Sequence, residues 1–103
     1  MDAQARYEEI ADDLAATSDD VQLGKMFGMP CVKRAGKAVA GLYQGDMVFK
    51  LPDQAARELA LELEGARLFD PMGGRPMKEW VQVPAAHADH WAELATTALR
   101  KPS

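Results

Sequence analysis

Five groups of residues in this chain of 103 have types and spacings that could do chemistry. His87 and His90 stand three apart, close enough on a helix to share one metal ion. No second ligand pair at fixed spacing accompanies them, and His87 falls four residues before Trp91 in an apolar stripe, where packing accounts for it. The single cysteine, Cys31, would need an activating base or cation to act as a nucleophile. On a strand Lys33 shares its face and Arg34 points the other way, so the simpler reading is a small buried thiol. Gly73-Gly74-Arg75 could offer backbone N–H groups and a guanidinium to an anion. The phosphate-loop and dinucleotide spacings are both missing, and the alternative is a turn with Arg75 solvated or paired to Asp70. Arg75, Lys78 and Trp80 place two cations and an aromatic on one loop and strand start. The basic turn Lys33-Arg34-x-x-Lys37 could contact phosphates. From this set, Lys33, Arg34, Lys37, Arg75 and Lys78 are the candidate interaction surface. No residue qualifies as catalytic, cofactor-binding or metal-ligating.

The elements that must position these residues follow from the apolar pattern. Residues 2–17 carry Ala3, Tyr7, Ile10, Ala11 and Leu14 at helical spacing, with Glu8, Glu9, Asp12 and Asp13 largely off that stripe. Thr17-Ser18-Asp19-Asp20 breaks the helix. The segment 24–52 contains three short apolar runs separated by turn signals and reads as an antiparallel sheet. Residues 21–27 are a connector or first strand, and Gly28 and Pro30 mark a bulge or turn. Strands are expected at 31–34, 38–43 and 47–51, joined by turns at Ala35-Gly36-Lys37 and Gln44-Gly45-Asp46. Within 38–43, alternation puts Val39, Gly41 and Tyr43 on one face and Ala38, Ala40 and Leu42 on the other. Pro52 is expected in the first turn of a second helix, with Asp53 at its positive end, Ala56, Leu59, Ala60 and Leu63 inward, and Gly65 as its stop. Residues 68–76 form a loop rich in proline and glycine. A strand follows over 77–83, then a last helix from Pro84 with His87, Trp91, Leu94, Ala95 and Ala98 on one face. Residues 101–103 are a frayed tail. The order α-β(-β)-β-β-α-β-α gives a single α+β domain over 1–103, a small antiparallel sheet with helices at the N-terminus, middle and C-terminus. Phe27, Leu42, Phe49, Leu59, Trp80, Val83 and Trp91 are its expected core.

Composition narrows the function classes. Net charge is −4, unevenly spread: residues 1–20 hold seven acids and one base, and residues 24–52 hold five bases and one acid. The acidic total argues against coating nucleic acid by charge alone, while the basic sheet segment leaves a local patch. No apolar run approaches the roughly 20 residues that span a bilayer. The N-terminus lacks the basic start and apolar block of a secretory signal, and one cysteine makes no internal disulfide, so a reducing cytoplasm is the expected location.

Several of these segments together form a recognisable pattern. Met26-Phe27-Gly28, the strand–turn–strand ending Gly41-Leu42-Tyr43, Met47-Val48-Phe49-Lys50-Leu51, and Phe69-Asp70-Pro71 through Gly74-Arg75-Pro76-Met77-Lys78-Glu79-Trp80 resemble the bacterial TfoX/Sxy N-terminal domain family. The resemblance runs from about residue 24 to the last helix. It implies an α+β fold and a regulatory role: full-length members are competence regulators, regarded as coactivators with the cyclic-AMP receptor protein, and usually carry a second, helical domain. The family has no established catalytic residues, so the resemblance implies a non-enzymatic domain without cofactor. It further implies that the partner is another protein, a transcription factor in the family's case. The pattern is more loosely similar to MmcQ/YjbR-type proteins, for which DNA binding by two wings has been proposed. Here those wings would be the turns at Gly36 and Gly45. DNA contact is the second expectation, and a small-anion or enzymatic site at 75–80 the third.

Overall fold

The computed structural model describes residues 2–100; the expected frayed tail at 101–103 lies outside them. Asp2 opens α1 (Ala3–Thr17) as its N-cap, its carboxylate accepting from Ala5 N–H at 2.7 Å. This satisfies one of the four backbone donors that a helix start leaves unpaired. Four strands follow: β1 (Val21–Met26), β2 (Met29–Arg34), β3 (Lys37–Tyr43) and β4 (Asp46–Lys50). Next come α2 (Gln54–Leu61), the short strand β5 (Arg67–Leu68), β6 (Trp80–Val83), a 3-10 turn over Ala85–His87, and α3 (Ala88–Leu99). The strands make one antiparallel sheet in the order β1-β2-β3-β4-β6-β5. The α+β class read from the sequence is the observed one.

The sheet has two apolar faces. On the inner face Val32, Ala40, Met47, Phe49, Val81 and Val83 pack with Tyr7, Ile10 and Ala11 of α1 and Trp91, Ala95 and Ala98 of α3. On the outer face Met29, Val48 and Trp80 pack with Phe69, which belongs to the segment that crosses that side between β5 and β6. Strict alternation along β4 produces the split: Met47 and Phe49 go inward and Val48 outward.

Several expectations are corrected. A sixth strand, β5, is only two residues long and takes in Leu68, the first residue of the expected loop. Alternation fails in β3, because the register against β2 shifts between Val32 and Lys33 and leaves Val39 as an extra residue. This β-bulge turns both Val39 and Ala40 inward and leaves Ala38 outward, separating Ala38 from the face it was assigned. Pro52 lies before α2 rather than within its first turn. Asp53 is the N-cap, accepting from Ala56 N–H at 2.9 Å. Phe27 and Leu59 are 67% and 68% exposed, whereas Phe49, Trp80, Val83 and Trp91 are buried and Leu42 packs against the core. Phe27 occupies a turn beyond the last β1–β2 pair, and Leu59 belongs to α2, of which Ala60 alone is buried.

Candidate functional site

The β2–β3 hairpin closes through Ala35 and Gly36, both left-handed at φ 51° and 82°. The turn puts Arg34 and Lys37 opposite each other across the first pair of the ladder. Arg34 reaches toward the helices: its Nε donates to the Asp20 carboxylate at 2.9 Å, and a terminal nitrogen donates to the Leu99 carbonyl. The second bond satisfies one of the carbonyls left open at the C-terminal end of α3 and sets a cation at its negative pole. Arg34 thus fastens the hairpin to the end of α3.

A groove of about 410 Å³ opens beside that fastening. Val39, Pro52, Ala98 and Leu99 supply its apolar surface, and Arg34, Lys37, Lys50, Arg100 and Asp20 its charges. The bulge helps to build it, since only the extra residue in β3 brings Val39 to the inner side. Four cations therefore face one carboxylate, which Arg34 already engages. Among the described residues the ion pairs are Arg6–Glu9, Arg34–Asp20 and His90–Asp89, so Lys37, Lys50 and Arg100 have no carboxylate partner. Three cations without a carboxylate partner among the described residues, set beside an apolar surface, make a local positive potential in a protein whose net charge is −4. An anion bound there would relieve their mutual repulsion, and the apolar wall would strengthen the attraction by excluding water.

The structure divides the sequence candidates. Arg34 and Lys37 line the groove; Lys33, Arg75 and Lys78 do not. Lys33 lies on the opposite side of β2, its side chain running beside Gly24, where an added Cβ would come within 3.2 Å of Lys33 Cε. Arg75 and Lys78 are exposed in the segment between β5 and β6. Of the two expected states of Arg75, solvated or paired to Asp70, the structure has the first: Arg75 is exposed and makes no ion pair with Asp70. The Asp70 carboxylate accepts from the backbone N–H groups of Gly74 at 2.8 Å and Arg75 at 3.3 Å, which rigidifies the loop and leaves the guanidinium outside. Trp80 is 7% exposed and tilts against Phe69 at 6.4 Å between centroids, so its ring is sealed rather than displayed. The proposed wing turns at Gly36 and Gly45 occupy opposite ends of β3, a strand of seven residues and so about 20 Å long. They therefore do not stand side by side, and the Gly45 turn is followed by Asp46, which accepts from Gln82 at 2.9 Å.

Of the remaining chemical candidates Cys31 is held in packing, His87 is partly buried and His90 is exposed. His87 Nε2 lies 2.8 Å from the Glu64 carbonyl, and the His87 and His90 rings sit 6.2 Å apart. No group of three His, Cys, Asp or Glu among the described residues could hold a metal ion. Cys31 is fully buried, and burial pushes its thiol upward, against the smaller opposing pull of Lys33. A thiol shifted that way is a poor nucleophile at neutral pH. Among the described residues no helix is long and apolar enough to cross a membrane.

Sequence reasoning missed Lys50, Arg100 and Asp20 as site residues. Lys50 was visible within the basic block, but nothing local joins it to Arg100, fifty positions later. Only the packing of α3 on the sheet brings the two to one groove. Compared with protein-family models, curated proteins and solved structures, the chain finds no match.

Proposed function

We propose that the protein is a non-enzymatic regulatory binding module that works by contact with another protein, and that the groove between the β2–β3 hairpin and the end of α3 receives an acidic, partly apolar segment of that partner. The observation that carries this reading is the trio Lys37, Lys50 and Arg100, without carboxylate partners among the described residues, beside the surface of Val39, Pro52, Ala98 and Leu99. Concave sites that combine apolar lining with a few converging polar groups suit side chains better than a duplex backbone. The resemblance to TfoX/Sxy N-terminal domains points the same way and makes a transcription factor the partner class to try first. Duplex DNA is the weaker alternative: the two candidate wings sit at opposite ends of β3, and the seven acids of residues 1–20 repel phosphates.

The test is amide chemical-shift mapping with a short synthetic Glu/Leu peptide and, separately, a short DNA duplex, each at low and moderate salt. The peptide should shift residues of the groove, and Lys37→Glu combined with Lys50→Glu should abolish that binding. Lys78→Glu should leave it intact. Duplex binding at low salt with no response to the peptide would replace this reading with the DNA one.

A further inference from the structure

Three tight turns in the sheet each place two successive residues in the left-handed region. They are Phe27 and Gly28 (φ 53° and 77°), Ala35 and Gly36 (51° and 82°), and Gln44 and Gly45 (49° and 83°). Positive φ at both central residues is the type I′ pattern, which favours Asn, Asp or Gly at the first of them. Ala and Gln are mild departures. All three carry a Cβ that crowds the following carbonyl, and a bulky aromatic is the most unusual of them at positive φ. Burial does not offset the strain at Phe27, which is 67% exposed. The fold therefore gains little from this side chain, yet the hairpin holds it out at its tip. Lys25, two residues earlier, is also exposed and has no carboxylate partner among the described residues.

A complementary feature lies elsewhere on the same chain. Between α2 and α3 runs a second groove of about 260 Å³, with Leu59, Ala60, Leu63 and Leu94 as its apolar lining and Glu93 among its polar residues. Leu59 is 68% exposed there, and Glu93 has no cationic partner among the described residues. A dry apolar cavity of roughly 150 Å³ is enough to hold a benzene ring, so this groove has room for a phenylalanine side chain. The two features cannot meet within one molecule. Helix α2 packs over β6, and four strand spacings of the sheet order, roughly 19 Å, separate β6 from β1.

We propose that Phe27 of one copy seats in the α2–α3 groove of a second copy, with Lys25 facing Glu93 across the contact. The strain at the turn is then the cost of presenting an anchor, as backbone outliers at binding sites commonly are. The contact uses none of the residues of the basic groove, so its failure leaves the reading of that groove untouched.

Sedimentation velocity on the full chain, from micromolar to millimolar concentration, tests it. The wild-type chain should associate with rising concentration, as dimers if the contact closes reciprocally and as longer oligomers if it runs one way. Phe27→Asn should weaken association roughly thirtyfold or more, the scale of a central aromatic anchor, while its melting temperature stays level or rises. Leu59→Glu, also at an exposed position, should weaken it comparably. An equimolar mixture of the two variants should associate again, because one supplies the groove and the other the phenylalanine. A monomer at every concentration overturns the proposal. So does association that Phe27→Asn leaves unchanged, that survives Leu59→Glu, or that the mixture fails to restore.

Discussion

The inner face of the sheet is closed by helices and the outer face by an irregular segment. Along the inner face α1 and α3 bring Tyr7, Ile10, Ala11, Trp91, Ala95 and Ala98 down onto five strands. The outer face is closed mainly by residues 69–79, which contribute Phe69 and Met77 around Trp80, Met29 and Val48. Tyr43 meets Phe69 edge-on at 5.0 Å, so aromatic geometry joins that segment to the sheet where regular packing does not. Helices commit a whole stripe of side chains at fixed spacing, so a void beneath them is hard to fill. An irregular cover held by a few anchors and by the Asp70 turn can settle into a void. The two faces are therefore expected to respond differently to equivalent damage.

The two tryptophans give the most direct contrast. Trp91 is fully buried under the helices, and Trp91→Ala should cost about 3–5 kcal/mol in chemical denaturation. Its indole N–H has no hydrogen-bond partner among the described residues, which holds the loss below what the buried area alone would suggest. Trp80→Ala on the outer face should cost less, about 2–3 kcal/mol, because residues 69–79 can collapse toward the gap. Equal losses at the two sites would mean that the outer cover is as rigid as the helical one. A loss under about 1 kcal/mol at Trp91, the scale of surface changes, would remove it from the core.

The same contrast explains what the sequence made legible. The inner face could be read because helices and strands leave periodic apolar marks, as Tyr7, Ile10 and Ala11 do on α1 and Met47 and Phe49 do on β4. The hairpins could be read because Gly28, Gly36 and Gly45 each stand where the chain reverses. The outer face was harder. Leu68 and Phe69 looked like loop because a two-residue strand has no period, and Phe69 is buried by a long-range contact rather than by its own element. Apolar type alone misplaced Phe27 and Leu59, since it gives a reason for burial without a place for it. The basic groove was half legible. Arg34 and Lys37 sit on one turn, but Lys50 and Arg100 join them only through tertiary packing, and the bulge at Val39 leaves no mark in Ala38-Val39-Ala40-Gly41.

A smaller effect tests whether the outer face is tight where it adjoins the strands themselves. Gly41 lies on that side, and a Cβ added to it would sit 2.5 Å from Met29 Cε and 3.0 Å from the Pro30 carbonyl oxygen. The methionine end can swing away, but the backbone oxygen cannot do so without moving β2. Gly41→Ala should therefore destabilise by about 1–2 kcal/mol, the lower range for overpacking a filled site. Gly24→Ala in the same cross-strand row meets only the flexible end of Lys33, nearest at 3.2 Å, and should cost less. A neutral Gly41→Ala would show that Met29 and its neighbours are loosely seated, widening the difference between the faces.

The mildest probe is alkaline pH, because a buried titrating group lies on each side. Cys31 lies on the outer side beside Met29 and Gly41, and Tyr7 lies on the inner side in α1. Burial is the leading cause that raises both, with further upward pushes on Tyr7 from Cys31, Asp12 and Glu8. For a group raised in the folded state, the folded chain keeps its proton over a range in which the unfolded chain has lost it. Stability is then fully present below the unfolded pKa and falls as pH climbs through the window between the two values. The unfolded thiol titrates near about 8.5 and the unfolded phenol near about 10, so the outer-side group acts first. Melting temperature should hold level from neutral pH to about 8.5 and then decline, with a further decline above about 10. Cys31→Ala should lower the neutral-pH melting temperature through its cavity yet delay the onset of the decline to the phenol range. Tyr7→Phe should keep the early onset and flatten the later part. A decline whose onset is the same with and without Cys31 would show that the outer-side thiol ionises as freely in the folded protein as in the unfolded one, and that this side is wetter than its packing implies.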